Sequence, residues 1–210
     1  MNIELESMAI EMPAVKGHLN RAAFRGVLTL VDAVSDKAPA GARGHRVVLT
    51  RAAAEAALAS LLGMGLDYSP SLDRHDTRRK VGVITRAEVA EKNLELSGYL
   101  FAKDFPEIVR EIAKGSENRR ASFGLSDRLE HHAKIARDGD LGRGRWSPRV
   151  CRAGEPRAPA HSLGMSYEIA DARVADVRSS VWTLTHVTFT GAAILRRDKA
   201  AYRDTWIELE

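Results

Sequence analysis

Short runs of β-branched and apolar residues, broken every few positions by Gly, Pro or Asp, constrain this chain more than any other feature. Ala23 to Val34, AFRGVLTLVDAV, alternates in part and predicts a strand. Ser35 to Gly44 is a Gly-, Ala- and Pro-rich loop, and Arg46 to Leu49 is a short strand. Thr50 then stands as an N-cap before RAAAEAALASLL, a run of strong helix formers that stops at Gly63. The following GMGLDYSPSLDRHD reads as a turn-rich connection. VGVITRAEVA and LELSGYLFA, joined at Glu91–Asn93, predict a hairpin within Lys80 to Ala102. Asp104 is the expected cap of a second helix, with Pro106 in its first turn and Gly115 as its stop. Order returns with LGMSYEIA (Leu163 to Ala170), a short strand over Ala172 to Val177, and VWTLTHVTF (Val181 to Phe189). Strands dominate and the two or three helices act as connections. The expected class is therefore α+β: a small, curved, mostly antiparallel sheet or barrel.

At 210 residues the chain suits one domain over 21–210, with 1–20 as a loosely held arm. Such a domain buries roughly 70% of its unfolded surface and needs no staple. The single cysteine, Cys151, excludes an intrachain disulfide and fits a reducing cytoplasm. No apolar run approaches the ~20 residues of a membrane span, and the acidic start (Glu4, Glu6, Glu11) is unlike a secretory signal. The net charge of +4 is unevenly placed. Arginines crowd the Gly- and Pro-rich stretch at about 117–160, which reads as a solvated insertion. Nucleic acid is not the expected partner, because Trp146 is the only aromatic between Ser126 and Ala160 on which a base could stack.

No GxGxxG, Walker loop, HExxH or paired CxxC is present. His131 and His132 are adjacent, a poor spacing for two ligands on one helix face, so neither a metal nor a cofactor is expected. His75 stands in DRHDTRRKVGVI, a polar turn directly before a strand. An imidazole held there by a rigid sheet has the chemistry of a general base. Asp76, next in sequence, is badly placed to orient it. A hydroxyl nucleophile needs open surroundings and nearby backbone N–H groups. ASFGLS, with Ser122 and Ser126, and LGMSYE, with Ser166, both offer serine near glycine in an apolar setting.

Several of these segments together resemble the tailed-phage prohead proteases, which share a herpesvirus-assemblin-like fold. RHDTRRKVGVI is similar to the family's segment in which a catalytic histidine shortly precedes an apolar strand. DFPEIVREIAKG resembles its helix between base and nucleophile. VWTLTHVTFTGAAILRRDKAAY resembles its closing strand and turn, often written EVSLVTFPAN, with FTGAAILRRDKAAY matching one subgroup more specifically. GVLTLVDAVSDKAPAG looks like the same subgroup's opening strand and loop. The resemblance covers roughly Arg25 to Gly115 and Leu163 to Tyr202.

What it implies is a serine endopeptidase with His75 as base. Ser122-Phe123-Gly124-Leu125 matches the family's Ser-Ile-Gly-Phe motif in place and form, but leads into a polar, helical run. Ser166 has the strand context and leads into the closing hairpin, so Ser166 is the favoured nucleophile and Ser122 the alternative. His186 stands where the family commonly has an acid, and is the expected third member. The implied substrates are the capsid protein with its scaffolding segment, and the protease's own ends, within an assembling prohead in the host cytoplasm. A homo-oligomer is expected. The other reading is a catalytically inactive scaffold or internal head protein that binds capsid or DNA.

Overall fold

Alternation of apolar and polar residues becomes strand pairing over most of the residues that the computed structural model describes, which are 2–4, 20–116 and 163–210. Nine strands among them form one sheet: β1 (Asn2–Glu4), β2 (Arg21–Leu30), β3 (Arg46–Leu49), β4 (Gly65–Tyr68), β5 (Lys80–Ala90), β6 (Asn93–Phe101), β7 (Leu163–Val174), β8 (Val181–Arg196) and β9 (Trp206–Leu209). The hydrogen-bonded path runs β3-β8-β4-β5-β6-β2-β9, with β1 added to β5 and β7 to β8. The path is open, ending at β3 and β9. Only β3 and β4 run parallel to their neighbour β8, and every other pairing is antiparallel. With two connecting α-helices, the class is α+β, as the patterning predicts. No helix among the described residues is long and apolar enough to cross a membrane.

The connections follow local chemistry. Helix α1 (Arg51–Ala57) is capped by Thr50, whose side chain accepts from the Ala53 amide, and it tightens into a 3-10 turn over Leu58–Leu61. Gly63 at φ 75° then ends it in the left-handed region that glycine enters without strain. The β5–β6 hairpin turns between Ala90 and Asn93, with Glu91 at φ 49°. Helix α2 occupies 106–116. Its Ile108 and Ile112 are fully buried and Val109 packs beside them against the main cluster.

Several expectations need correction. The Asp104 carboxylate accepts from Asn20 Nδ2 at 2.9 Å, and α2 opens at Pro106 with Phe105 before it. Gly115 lies within α2, which includes Ser116; the Ser116 hydroxyl donates back to Ile112 O at 2.9 Å. β2 ends at Leu30, four residues early, because Asp32 takes φ 52° and its carboxylate accepts from the Arg51 amide. Ala172 to Val174 belongs to β7, which keeps pairing with β8 through register shifts. β8 runs on to Arg196, beyond Phe189. The connection after Gly63 contains β4, and the N-terminal arm contributes β1, whose Asn2 pairs with Glu88. The Arg/Gly/Pro-rich stretch at about 117–160 lies outside the described residues.

Candidate active site

Register determines which side chains can meet. Asp67 of β4 pairs with Ala193 of β8, and Ala193 pairs on its other side with Ser166 of β7. Directly paired residues point to the same side of a sheet, and residues one position away point to the other. The neighbours Leu66 and Tyr68, Ala192 and Ile194, and Met165 and Tyr167 all join or pack on the hydrophobic core. Asp67, Ala193 and Ser166 therefore form a row on the opposite side, spanning two interstrand spacings or roughly 10 Å. Ala193 at its centre is fully buried. Two residues along, Glu168 pairs with Gly191, and a Cβ on that glycine would lie 2.8 Å from Glu168 Oε2. β8 thus offers only glycine and alanine between the polar side chains of β4 and β7.

His75 is brought to this side by the loop between β4 and β5. The loop is fixed by its own polar residues. Tyr68 N donates to Arg79 O at 3.1 Å, Arg79 N to Asp76 O at 2.9 Å, and Arg78 N to the Asp76 carboxylate at 3.2 Å. Asp76 therefore closes a turn, which is the usual local use of aspartate. Farther back, Ser69 and Ser71 share a hydrogen bond of 2.8 Å. Ser71 donates to Asp73, and this bond holds the Asp73 carboxyl below its ordinary range. Leu72 O accepts from Arg196 N at 2.8 Å, tying the loop to the end of β8.

The His75 side chain is 14% exposed, and its Nδ1 lies 3.6 Å from Asp67 Oδ2 and 3.8 Å from Glu168 Oε1. Lys80 Nζ is paired with the other oxygen of Asp67. Asp67 is completely buried, whereas the Glu168 side chain is 44% exposed. Asp67 Oδ2 and both imidazole nitrogens are buried without a hydrogen-bond partner among the described residues. Unpartnered polar atoms in one small region are costly, and they concentrate where a structure keeps groups for function.

His75, Ser166 and Glu168 open into one cleft of about 850 Å³, a volume typical of ligand sites. One wall is the loop 37–42, pinned by donation from the Asp36 amide to Ala201 O at 2.9 Å and from Arg203 N to the Asp36 carboxylate at 2.8 Å. Apolar surface from Ile169, Val174, Trp182 and Leu184 extends the cleft along β7 and β8.

Of the residues singled out in the sequence, His75 and Ser166 are brought to this cleft, with no direct hydrogen bond between them. His186 is not. It is exposed on β8 opposite Arg173, seven residues from Ala193 and roughly 23 Å along an extended strand. Asp67 and Glu168, rather than His186, stand beside His75 Nδ1. Ser122 lies outside the described residues. No group of three or more His, Cys, Asp or Glu among the described residues is arranged to hold a metal. Asp67 was not legible as a site residue, although it is an acid between Leu66 and Tyr68 in an apolar alternation, a pattern that flags a buried charge. Comparison of the chain with protein-family models, with curated proteins and with solved structures found no match.

Proposed function

We propose that this chain is a serine endopeptidase of the prohead-maturation type, with His75 as general base and Ser166 as nucleophile. The observation that carries the reading is the shared cleft: a half-buried imidazole whose ring nitrogens lack a hydrogen-bond partner among the described residues, and a strand serine, line the same 850 Å³ space. The resemblance of the His75 and closing-strand segments to prohead proteases supplies the reaction class. In that reaction His75 Nε2 takes the Ser166 proton as Oγ attacks a peptide carbonyl. The imidazolium then protonates the leaving amine as the C–N bond breaks. Water, deprotonated by the same imidazole, hydrolyses the acyl-serine and restores the hydroxyl. A substrate that closes the cleft would shorten the Ser166–His75 approach, since catalytic hydrogen bonds are often open in unliganded enzymes.

Capsid protein with its scaffolding segment, and the protease's own ends, are the substrates this reading names, acted on by a homo-oligomer inside the prohead in the host cytoplasm. It also takes the sheet as strongly curved. The close approach of Met165 and the Trp206 carbonyl to Gly26, and the Met165 amide donating to Thr205 Oγ1 at 3.2 Å, support β7 folding back across β2 and β9.

The test is cleavage of co-expressed capsid protein by the full chain. His75→Ala and Ser166→Ala should each lower it by several orders of magnitude, with no further loss in the double variant, because base and nucleophile act as one unit. Ser122→Ala should leave it within a few-fold. Loss in Ser122→Ala with full activity in Ser166→Ala would move the nucleophile and keep the protease. The absence of a Ser166–His75 hydrogen bond is equally what a second reading, an inactive protease-fold head protein, would show. Wild-type protein that packages with capsid protein without cutting it would establish that reading instead.

A further inference from the structure

We propose that Asp67, not His186, is the positioning residue of His75, and that Lys80 holds the other oxygen of its carboxylate in place for that purpose. The inference rests on His75 being the base of the proposed reaction. A positioning acid must be fixed and desolvated, with a cation on one oxygen and the other oxygen free for the imidazole. Asp67 meets each condition: it is fully buried on β4, its Oδ1 is held by Lys80, and its unpartnered Oδ2 lies 3.6 Å from His75 Nδ1. A small closing motion brings Nδ1–H to Oδ2 as donor and acceptor. That selects the tautomer whose Nε2 is bare and able to take a proton from serine. When the imidazole becomes imidazolium, a carboxylate in a low-dielectric setting compensates it far better than a solvated one.

Glu168 is the competitor, since its Oε1 lies 3.8 Å from the same nitrogen. Its carboxylate is 44% exposed and, among the described residues, has no cation on its other oxygen, so it is screened and free to change rotamer. A second, weaker hold on Nδ1 is the role left to it. The charged groups beside His75 are thus Asp67 from β4 and Glu168 from β7, with Lys80 from β5 on Asp67, while Lys37, Asp73, Arg74 and Lys199 line the same cleft.

The test combines kinetics with nitrogen NMR of the His75 ring in the full chain. Asp67→Asn should lower kcat by roughly 10²- to 10⁴-fold with KM within a few-fold, because an amide donating to Nδ1 enforces the wrong tautomer. The ring nitrogens should report that change from Nδ1–H to Nε2–H directly. Glu168→Gln should cost less than about tenfold and keep the native tautomer. Lys80→Gln, which takes away the cation that holds Asp67 Oδ1, should likewise lower kcat with KM within a few-fold. Lys80→Gln leaves Asp67 in place and keeps the test open should Asp67→Asn fail to fold. Native tautomer and undiminished kcat in both Asp67→Asn and Lys80→Gln would overturn the assignment. So would Glu168→Gln or His186→Ala producing the changes expected of Asp67→Asn. Full cleavage by His75→Ala would instead sink the protease reading, while the NMR arm would still measure the Asp67–His75 link.

Discussion

Gly98 of β6 is where a single methyl group would do the most damage. A Cβ there would lie 2.0 Å from Val83 O and 3.1 Å from both Ile84 Cα and the Phe24 ring. The nearest atom is backbone in a paired strand, so relief requires β5 and β6 to separate. Gly98→Ala should destabilise the protein by about 2–4 kcal/mol, at the upper end of overpacking costs, measured as a lower urea midpoint with an unchanged slope. At Gly191 the added atom would meet Glu168 Oε2, the mobile end of a side chain. Gly191→Ala should therefore cost clearly less than Gly98→Ala and act on the cleft, by turning Glu168 away from His75. A stability loss as large as that of Gly98→Ala would contradict this placement of Glu168.

Two helices fasten the sheet, each through a few residues. Thr50 both caps α1 and donates from Oγ1 to Leu184 O at 3.0 Å, linking the helix start to β8. Thr50→Ala removes both bonds and should cost about 1–2 kcal/mol, whereas Thr50→Ser should restore most of it. In α2, Ile112→Ala empties a fully buried site and should cost about 2–5 kcal/mol; a smaller loss in thermal or urea unfolding would mean that α2 is not fastened to the core by this side chain. These elements were legible because their signals are local: a capping threonine before alanines, and isoleucines and valine at helical spacing. The β5–β6 hairpin was legible for the same reason. β4 and β9 were not. Each is four residues long and depends on a partner far away in sequence, Ala192 to Ile194 for β4 (which also pairs with β5) and Phe24 to Val27 for β9. The candidate site divides along the same line. His75 and Ser166 could be singled out from their neighbours in sequence. Asp67 takes its meaning from a parallel pairing with β8 and an ion pair with Lys80, neither visible in a linear reading.

Across the whole molecule, two desolvated phenols, Tyr167 and Tyr202, give stability a particular dependence on alkaline pH. Tyr202 OH lies 3.2 Å from Val47 O and 3.3 Å from Ala33 O, tying the C-terminal loop to the segment between β2 and β3. Tyr167 packs edge-on against Phe189 with ring centres 5.6 Å apart. Desolvation pushes the Tyr167 phenol up to about 12, and the Thr29 side chain offsets this only in part. Desolvation, reinforced by Tyr167, raises Tyr202 as well. Below the ordinary phenol value of 10.0 both groups are protonated whether the chain is folded or not, and their contribution to stability is fully present. Above it the unfolded chain releases protons that the folded chain retains, so stability falls as pH rises through the folded values. The urea midpoint should accordingly drop steeply between about pH 10 and pH 12. Tyr167→Phe removes one of the retained protons without removing a backbone hydrogen bond, so its midpoint should fall less steeply over that window. Tyr202→Phe should flatten the slope too, but start about 1–2 kcal/mol lower at pH 7 through the lost bonds to Val47 and Ala33. An alkaline slope in Tyr167→Phe equal to that of the unchanged protein would show that this phenol titrates alike folded and unfolded, and would remove it from the packed interior between β7 and β8.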